Sequence, residues 1–309
     1  MWNGIKYCVC RWKKHVSGQR HKTNTYIVLV ACDVNYYKMN HFLKLPEGCI
    51  STILSLTTPA DAARSSVICK GFNSAAESDV LWERFLHQHE VIISRSTSPP
   101  ICTTKKELFL RLSSHSHILL DRGNLSFSLD RWSGKKCFMV APRALSIALV
   151  ENPQHWEWTT RPESRFSELA ILKSVQWLDI RGKIGTQMLS LGTKYAAYLV
   201  FKLLNDTYGI KTLNAKVRIV NHANENEAVK QATNVYIPSM SRFFVKNKTD
   251  PLYEKYAKIR GDGWMEVQLG DFYNKEGDDE EVEARCMEIE RLHNKSGLIV
   301  EGIEFRPQQ

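Results

Sequence analysis

The chain has 309 residues, 43% hydrophobic and 24% charged, the balance of an ordinary soluble globular protein with room for about two domains. Its net charge of +9 is unevenly spread: residues 1–38 hold seven Lys/Arg against one Asp, and the remainder is close to neutral, so nucleic acid is not expected as a partner of the folded body. The early apolar run Tyr26–Cys32 is too short to cross a bilayer and lacks a cleavage pattern, which argues against a membrane span or a secretory signal.

Residues 1–41 read as a basic, disordered tail, or as translation upstream of a start at Met39. A nucleic-acid or nuclear-import patch built on Lys6, Arg11, Lys13, Lys14, Arg20 and Lys22 is the rival reading. The eight cysteines contain no Cys-x-x-Cys, and Cys8-x-Cys10 with His15 and His21 matches no common zinc spacing. No disulfide framework, metal or cofactor is therefore expected.

From residue 42 to 88 the pattern is helical. Cys49, Ile50, Ile53 and Leu54 share one face, as do Ala63, Val67 and Ile68, and then Leu81, Trp82, Phe85 and Leu86. Thr58 before Pro59 reads as an N-cap with proline at the first helical position, and Asp79 reads as the cap of the last helix. So few residues cannot bury this much apolar surface alone, so the excess must pack on the rest of the chain or on a partner.

Residues 89–117 read as a linker with one short helix. Ser94–Pro100 is rich in hydroxyls and proline, and Thr104 with Glu107 forms a capping-box pattern ahead of Leu108, Phe109 and Leu112. From residue 118 to 309 the period changes to two. Ala215, Val217 and Ile219 alternate with Lys216 and Arg218, and Met265, Val267 and Leu269 alternate with Glu266 and Gln268. Tyr195–Leu203 is apolar on both faces, as a central strand would be, and Gly302 interrupts an alternation where a bulge is expected. Residues 221–258 read as a long loop excursion around Val235–Ile237, and the glycines at 182, 185 and 192 as turns. Short strands at roughly ten-residue intervals predict an antiparallel sandwich, which makes the whole chain α+β and multidomain.

No phosphate loop, Gly-x-Ser-x-Gly or His-Glu-x-x-His pattern occurs, so no catalytic residue is nominated. Trp156 and Trp158 lie two apart in an extended stretch and so point the same way. An indole at a sheet end offers a flat apolar face to a sugar ring, with nearby Asn, Gln or Glu fixing hydroxyls. The competing reading of Trp156, Trp177 and Trp264 is plain core.

Two resemblances sharpen this picture. Leu45-Pro46-Glu47, Thr58-Pro59-x-Asp61-Ala62, Cys69-Lys70-x-Phe72 and Trp82 resemble the F-box, which docks a substrate receptor on the Skp adaptor of a cullin ubiquitin ligase. That likeness implies adaptor contacts from Leu45, Pro46, Ile50, Ile53, Leu54, Pro59 and Val67. Further along, Ala141-x-x-Ala144-Leu145-Ser146-Ile147, Asn152-Pro153-Gln154-x-Trp156-x-Trp158, Trp177-x-x-Ile180-x-Gly182-Lys183-Ile184 and Gly261-Asp262-Gly263-Trp264 are similar to the phloem-protein-two or Nictaba-type plant lectins. The second likeness implies a jelly-roll-like β-sandwich lectin domain of the nucleus and cytoplasm that binds N-acetylglucosamine oligomers and the core of N-glycans. Trp156 and Trp158, with Glu281 and Glu288 as hydroxyl acceptors, are the implied sugar residues, while Leu149 stands where the family carries a second tryptophan. The combined expectation is a non-catalytic adaptor that brings a glycan or glycoprotein client to a ligase. Recognition of a protein surface, or service as a free lectin, are the alternatives.

Overall fold

The computed structural model describes residues 45–97, 100–114, 117–220, 232–237, 253–275 and 280–308. The basic tail, Met39 and the Cys8/Cys10 set lie outside the described residues, as does most of the 221–258 excursion. Met1–Pro46 and Glu47–Gln309 are separate units, and the second holds both the helices and the sheets.

The helical module opens with α1 (Glu47–Ser55), α2 (Pro59–Ser65), α3 (Lys70–Glu77) and α4 (Asp79–Leu86). Thr58 caps α2 as its sequence predicts, its hydroxyl accepting the Asp61 N–H at 3.2 Å. Asp79 does something else. Its Oδ1 accepts the backbone N–H of Lys105 at 2.8 Å, so a carboxylate expected to cap its own helix ties down the start of another.

That other helix is α6 (Lys105–Ser113), which follows the short α5 (Glu90–Ser94). Thr104 caps α6 through the Glu107 N–H at 3.0 Å, and Glu107 reaches back to the Thr103 N–H at 3.0 Å, one residue earlier than a regular capping box. Phe109 from α6 packs 5.1 Å from Trp82, centroid to centroid, and both rings are buried. The stretch expected to be a linker therefore completes the helical core, because four short helices leave Trp82 too little to pack against.

Among the described residues, fourteen strands form two sheets. The larger sheet runs β1 (Ile118–Leu120), β2 (Leu125–Leu129), β3 (Lys136–Val140), β14 (Ser296–Pro307), β8 (Thr193–Tyr208), β12 (Met265–Asn274), β11 (Lys258–Ile259), with β6 (Leu169–Leu172) on β14 and β5 (Trp156–Thr159) on β6. The smaller runs β10 (Thr233–Tyr236), β9 (Thr212–Ile219), β13 (Glu281–Glu288), β7 (Leu178–Gly185), β4 (Ser146–Ile147). The strand pairs within both ladders are antiparallel. β8 is central, flanked by β12 and β14, and successive residues Leu199, Val200 and Phe201 are all buried, so both its faces are covered; the register of β14 on β8 shifts between Val300 and Gly302, where the bulge was expected.

Gly182 lies inside β7 rather than in a turn. A Cβ there would meet Leu145 at 2.9 Å and Ile303 of the opposite sheet at 3.1 Å, so glycine is needed for the two sheets to close. Around β12 and β14, with Arg260 just past β11, charge is buried in pairs. Arg260 donates to Glu304 at 2.6 Å and to Glu266 at 3.0 Å, and Arg306 donates to the same two carboxylates at 2.9 and 2.6 Å. Burial alone would raise the Glu304 carboxyl, but Arg260, Arg306 and Arg165 overcome it and hold it at about 2.

The helical module sits directly on the sandwich. His89, 4% exposed, donates from Nε2 to the Gly134 carbonyl at 3.1 Å, and its ring lies 6.0 Å from Phe127 of β2. Gly134 adopts φ 70, and a Cβ there would reach 2.9 Å from Pro59. This tight seam is why the two parts form a single unit.

Candidate functional site

The first candidate is the outer face of the helical module. Leu56 (84% exposed), Val67 (87%), Ile68 (48%) and Ile53 (41%) leave large aliphatic surface in water. The spacing that grouped Ile50 and Leu54 with Ile53 is resolved into two faces: Ile50 and Leu54 are buried in the module, and Ile53 looks out. α1 turns Ile50, Ser51 and Leu54 inward, and Ile53 lies off that narrow face. Val67 and Ile68 follow the end of α2 at Ser65 and project from a turn. Pro59 is buried against Gly134. Of the seven residues implied as adaptor contacts, then, Ile50, Leu54 and Pro59 are core, Ile53 and Val67 are surface, Leu45 is half-buried and Pro46 exposed. Leu56, which the sequence reading did not single out, is among the most exposed.

The second candidate is a groove of about 240 Å³ lined by Trp156, Trp158, Arg143, Val150, Glu151 and Glu157 among others. The two tryptophans do share a side, as their spacing in β5 requires, but neither offers an open ring. Trp156 is 2% exposed, and its indole N–H donates to the Ala148 carbonyl at 3.0 Å. Trp158 carries the Arg143 guanidinium 3.6 Å from its ring centroid. Glu168 accepts from Arg143 Nε and Nη2, both at 2.8 Å, which fixes the cation over the ring. The same pairing pulls the Glu168 carboxyl below its usual range.

Leu149 forms part of the turn before β5, 52% exposed and with φ 61. A left-handed backbone at a bulky residue costs on the order of 1–3 kcal/mol and is retained only where its surroundings enforce it. The expected hydroxyl acceptors are elsewhere. Glu281 and Glu288 occupy opposite ends of β13 in the smaller sheet, about 23 Å apart at the usual strand rise. Glu281 pairs with Lys183 at 2.9 Å, while Glu288 is buried and accepts the Arg291 N–H at 3.0 Å. Neither lines the groove, whose own acids are Glu151 and Glu157. Arg143 and Glu168 were missed because nothing local signals a stack between residues fifteen and ten positions away from Trp158. Of the remaining tryptophans, Trp264 is core and Trp177 is 55% exposed outside the groove.

Comparison with known proteins agrees with both likenesses. The F-box domain pattern matches residues 42–84, and the phloem protein 2 pattern matches residues 135–307. Among curated relatives, F-box protein PP2-B12 of Arabidopsis thaliana is 40% identical over 87% of this chain and 99% of its own length. F-box protein PP2-B10 of the same plant is 37% identical over 86% and 94%. Solved structures superpose only loosely: a mannan-recognising carbohydrate-binding module reaches a TM-score of 0.26 at 8% identity, covering 54% of this chain and 85% of that one, which bears on neither fold nor function. With its helical F-box followed by a mostly antiparallel β domain, the chain belongs to the plant F-box proteins that carry a phloem protein 2 domain.

Proposed function

We propose that the chain is a non-catalytic substrate receptor of a Skp–cullin–F-box ubiquitin ligase, working in cytoplasm and nucleus. The observation that carries this reading is the exposed aliphatic face of the F-box, where Ile53, Leu56, Val67 and Ile68 leave the surplus that a partner would cover. Ile50, Leu54 and Pro59 support that face from behind, and Leu45 and Pro46 lie near the start of the matched region. The adaptor links the chain to a cullin, and ubiquitin chemistry resides in other subunits.

The phloem protein 2 domain selects the client. One reading is an N-glycan or N-acetylglucosamine oligomer seated along the Trp156–Trp158 groove, with Glu151 or Glu157 accepting hydroxyls, while Glu281 and Glu288 would act only from outside it. A second reading, a protein surface, is favoured by exposed Leu149 and by the covered faces of both indoles.

The adaptor assignment is tested by capture of purified Skp adaptor on the full chain. Wild type binds, and the Leu56→Asp/Val67→Asp pair does not; equal capture by both removes the docking face from the scheme. A glycan array probed with wild type and Trp158→Ala separates the client readings. Signal lost in the variant supports glycan, and silence from both supports protein recognition.

A further inference from the structure

A cavity of about 720 Å³ runs along the seam between the helical module and the sandwich. Arg84, Gln88 and His89 line it from α4 and the turn after it, and Lys135 and Lys136 line it from the start of β3. No Asp or Glu is among its lining residues. Asp130, a few residues before Lys135, is occupied by the N–H groups of Trp132 and Ser133 and by the Ser133 hydroxyl.

Within the sandwich the buried arginines are matched by carboxylates, Arg260 and Arg306 by Glu266 and Glu304 and Arg285 by Asp179, while buried Lys295 donates to three backbone carbonyls. Here exposed Arg84 has only the Ser55 hydroxyl, at 2.9 Å, and neither of the half-buried Lys135 and Lys136 has a carboxylate partner among the described residues. A second observation is independent of those charges. With Nε2 donating to Gly134, the Nδ1 of His89 is a buried lone pair with no partner, on a ring that lines the cavity. Burial lowers the Lys136 ammonium, and burial together with the Lys136 charge pushes His89 down to about 4. Both groups are short of negative charge.

We propose that this cleft binds a compact polyanion, a small molecule bearing two or more phosphate groups, which bridges Arg84 of the helical module to Lys135 and Lys136 of the sandwich. The cations stand on two walls of a cavity far larger than one phosphate, so a single ion would leave one wall unpaired. Phosphate oxygens suit both kinds of donor, Arg as a planar fork and Lys as a point charge. Bound in this way, the ligand fixes how the F-box is held against the client-binding domain.

The test is titration of the full chain with inorganic tripolyphosphate in phosphate-free buffer, read by calorimetry. One site is expected, weakened about tenfold by Arg84→Gln and about tenfold by Lys135→Gln, on the scale of a lost charge-assisted hydrogen bond. Lys173→Gln removes the same charge outside the cleft, beside the Trp156 groove, and leaves the affinity unchanged. Equal weakening by all three variants would mean diffuse attraction, including to the basic tail, and would overturn the proposal. Orthophosphate binding as tightly as tripolyphosphate would overturn the multiply charged class. Capture of a phosphopeptide with no tripolyphosphate binding would replace the small molecule by a protein partner.

Discussion

The helical module and the sandwich treat their apolar and charged groups in opposite ways. In the F-box the aliphatic side chains outnumber the places to bury them, so Leu56 and Val67 stand in water at 84% and 87% exposure. In the sandwich both tryptophans of the Trp156–Trp158 pair are covered, one by packing and one by a guanidinium, although Trp177 outside the groove is exposed. The contrast follows from size. A forty-residue bundle cannot close over its own surface, whereas two stacked sheets can. Exposed hydrophobics in the first region therefore point to a partner, while recognition by the second must use a rim of charges and a few loops.

The comparison is sharpest at Trp156. If it is core, Trp156→Ala destabilises the chain by about 3–5 kcal/mol, measured by urea unfolding, and any loss of sugar binding in that variant reports unfolding. A change below about 1 kcal/mol would return the ring to the surface and blur the contrast.

Acid separates the two regions next. His89 and Glu304 both sit lower in the fold than their ordinary values of 6.5 and 4.5, at about 4 and about 2. The unfolded chain therefore takes up each proton first as pH falls, and stability drops between pH 6.5 and 4 for His89 and between 4.5 and 2 for Glu304. Each is worth on the order of 3 kcal/mol. Tryptophan fluorescence and far-ultraviolet dichroism through an acid titration should show the seam loosening before the sheets melt. His89→Gln should abolish the first step and leave the second. A single step below pH 4 would mean that the seam is no weaker than the sandwich.

Smaller effects follow at the surface. Arg143→Ala uncovers Trp158 and costs about 1 kcal/mol of stability, while near-ultraviolet dichroism should report a freed indole. Val67→Asp, by contrast, leaves unfolding within about 0.5 kcal/mol of wild type, although it removes part of the proposed docking face. A large loss of stability there would show that Val67 packs inward.

How much of this was legible in the sequence varies with the range of the interaction. Thr58 capping α2, the central position of β8 and the bulge at Gly302 are local or period-two features, and each was readable from its neighbours in the chain. Asp79 was read as a local cap and proved to hold α6, because helical spacing says nothing of a helix twenty-six residues on. Ile50 and Leu54 were grouped with Ile53 because a short apolar stripe does not reveal which edge faces inward. The groove was legible at Trp156 and Trp158, which share a strand. Arg143, Glu168, Glu151 and Glu157 belong to it by tertiary approach, and Glu281 and Glu288 were carried over by likeness to positions that lie outside it.

The missing side chain at position 134 has a reach beyond its own turn. Because the Gly134 loop nests on Pro59 and its carbonyl is held by His89, the helical module and the sandwich keep one orientation, and in the proposed ligase the cargo would be held at a set distance from the adaptor. Under the proposed receptor role, any bulkier residue at 134 would wedge that seam apart and change which lysines of a captive protein come within range of conjugation.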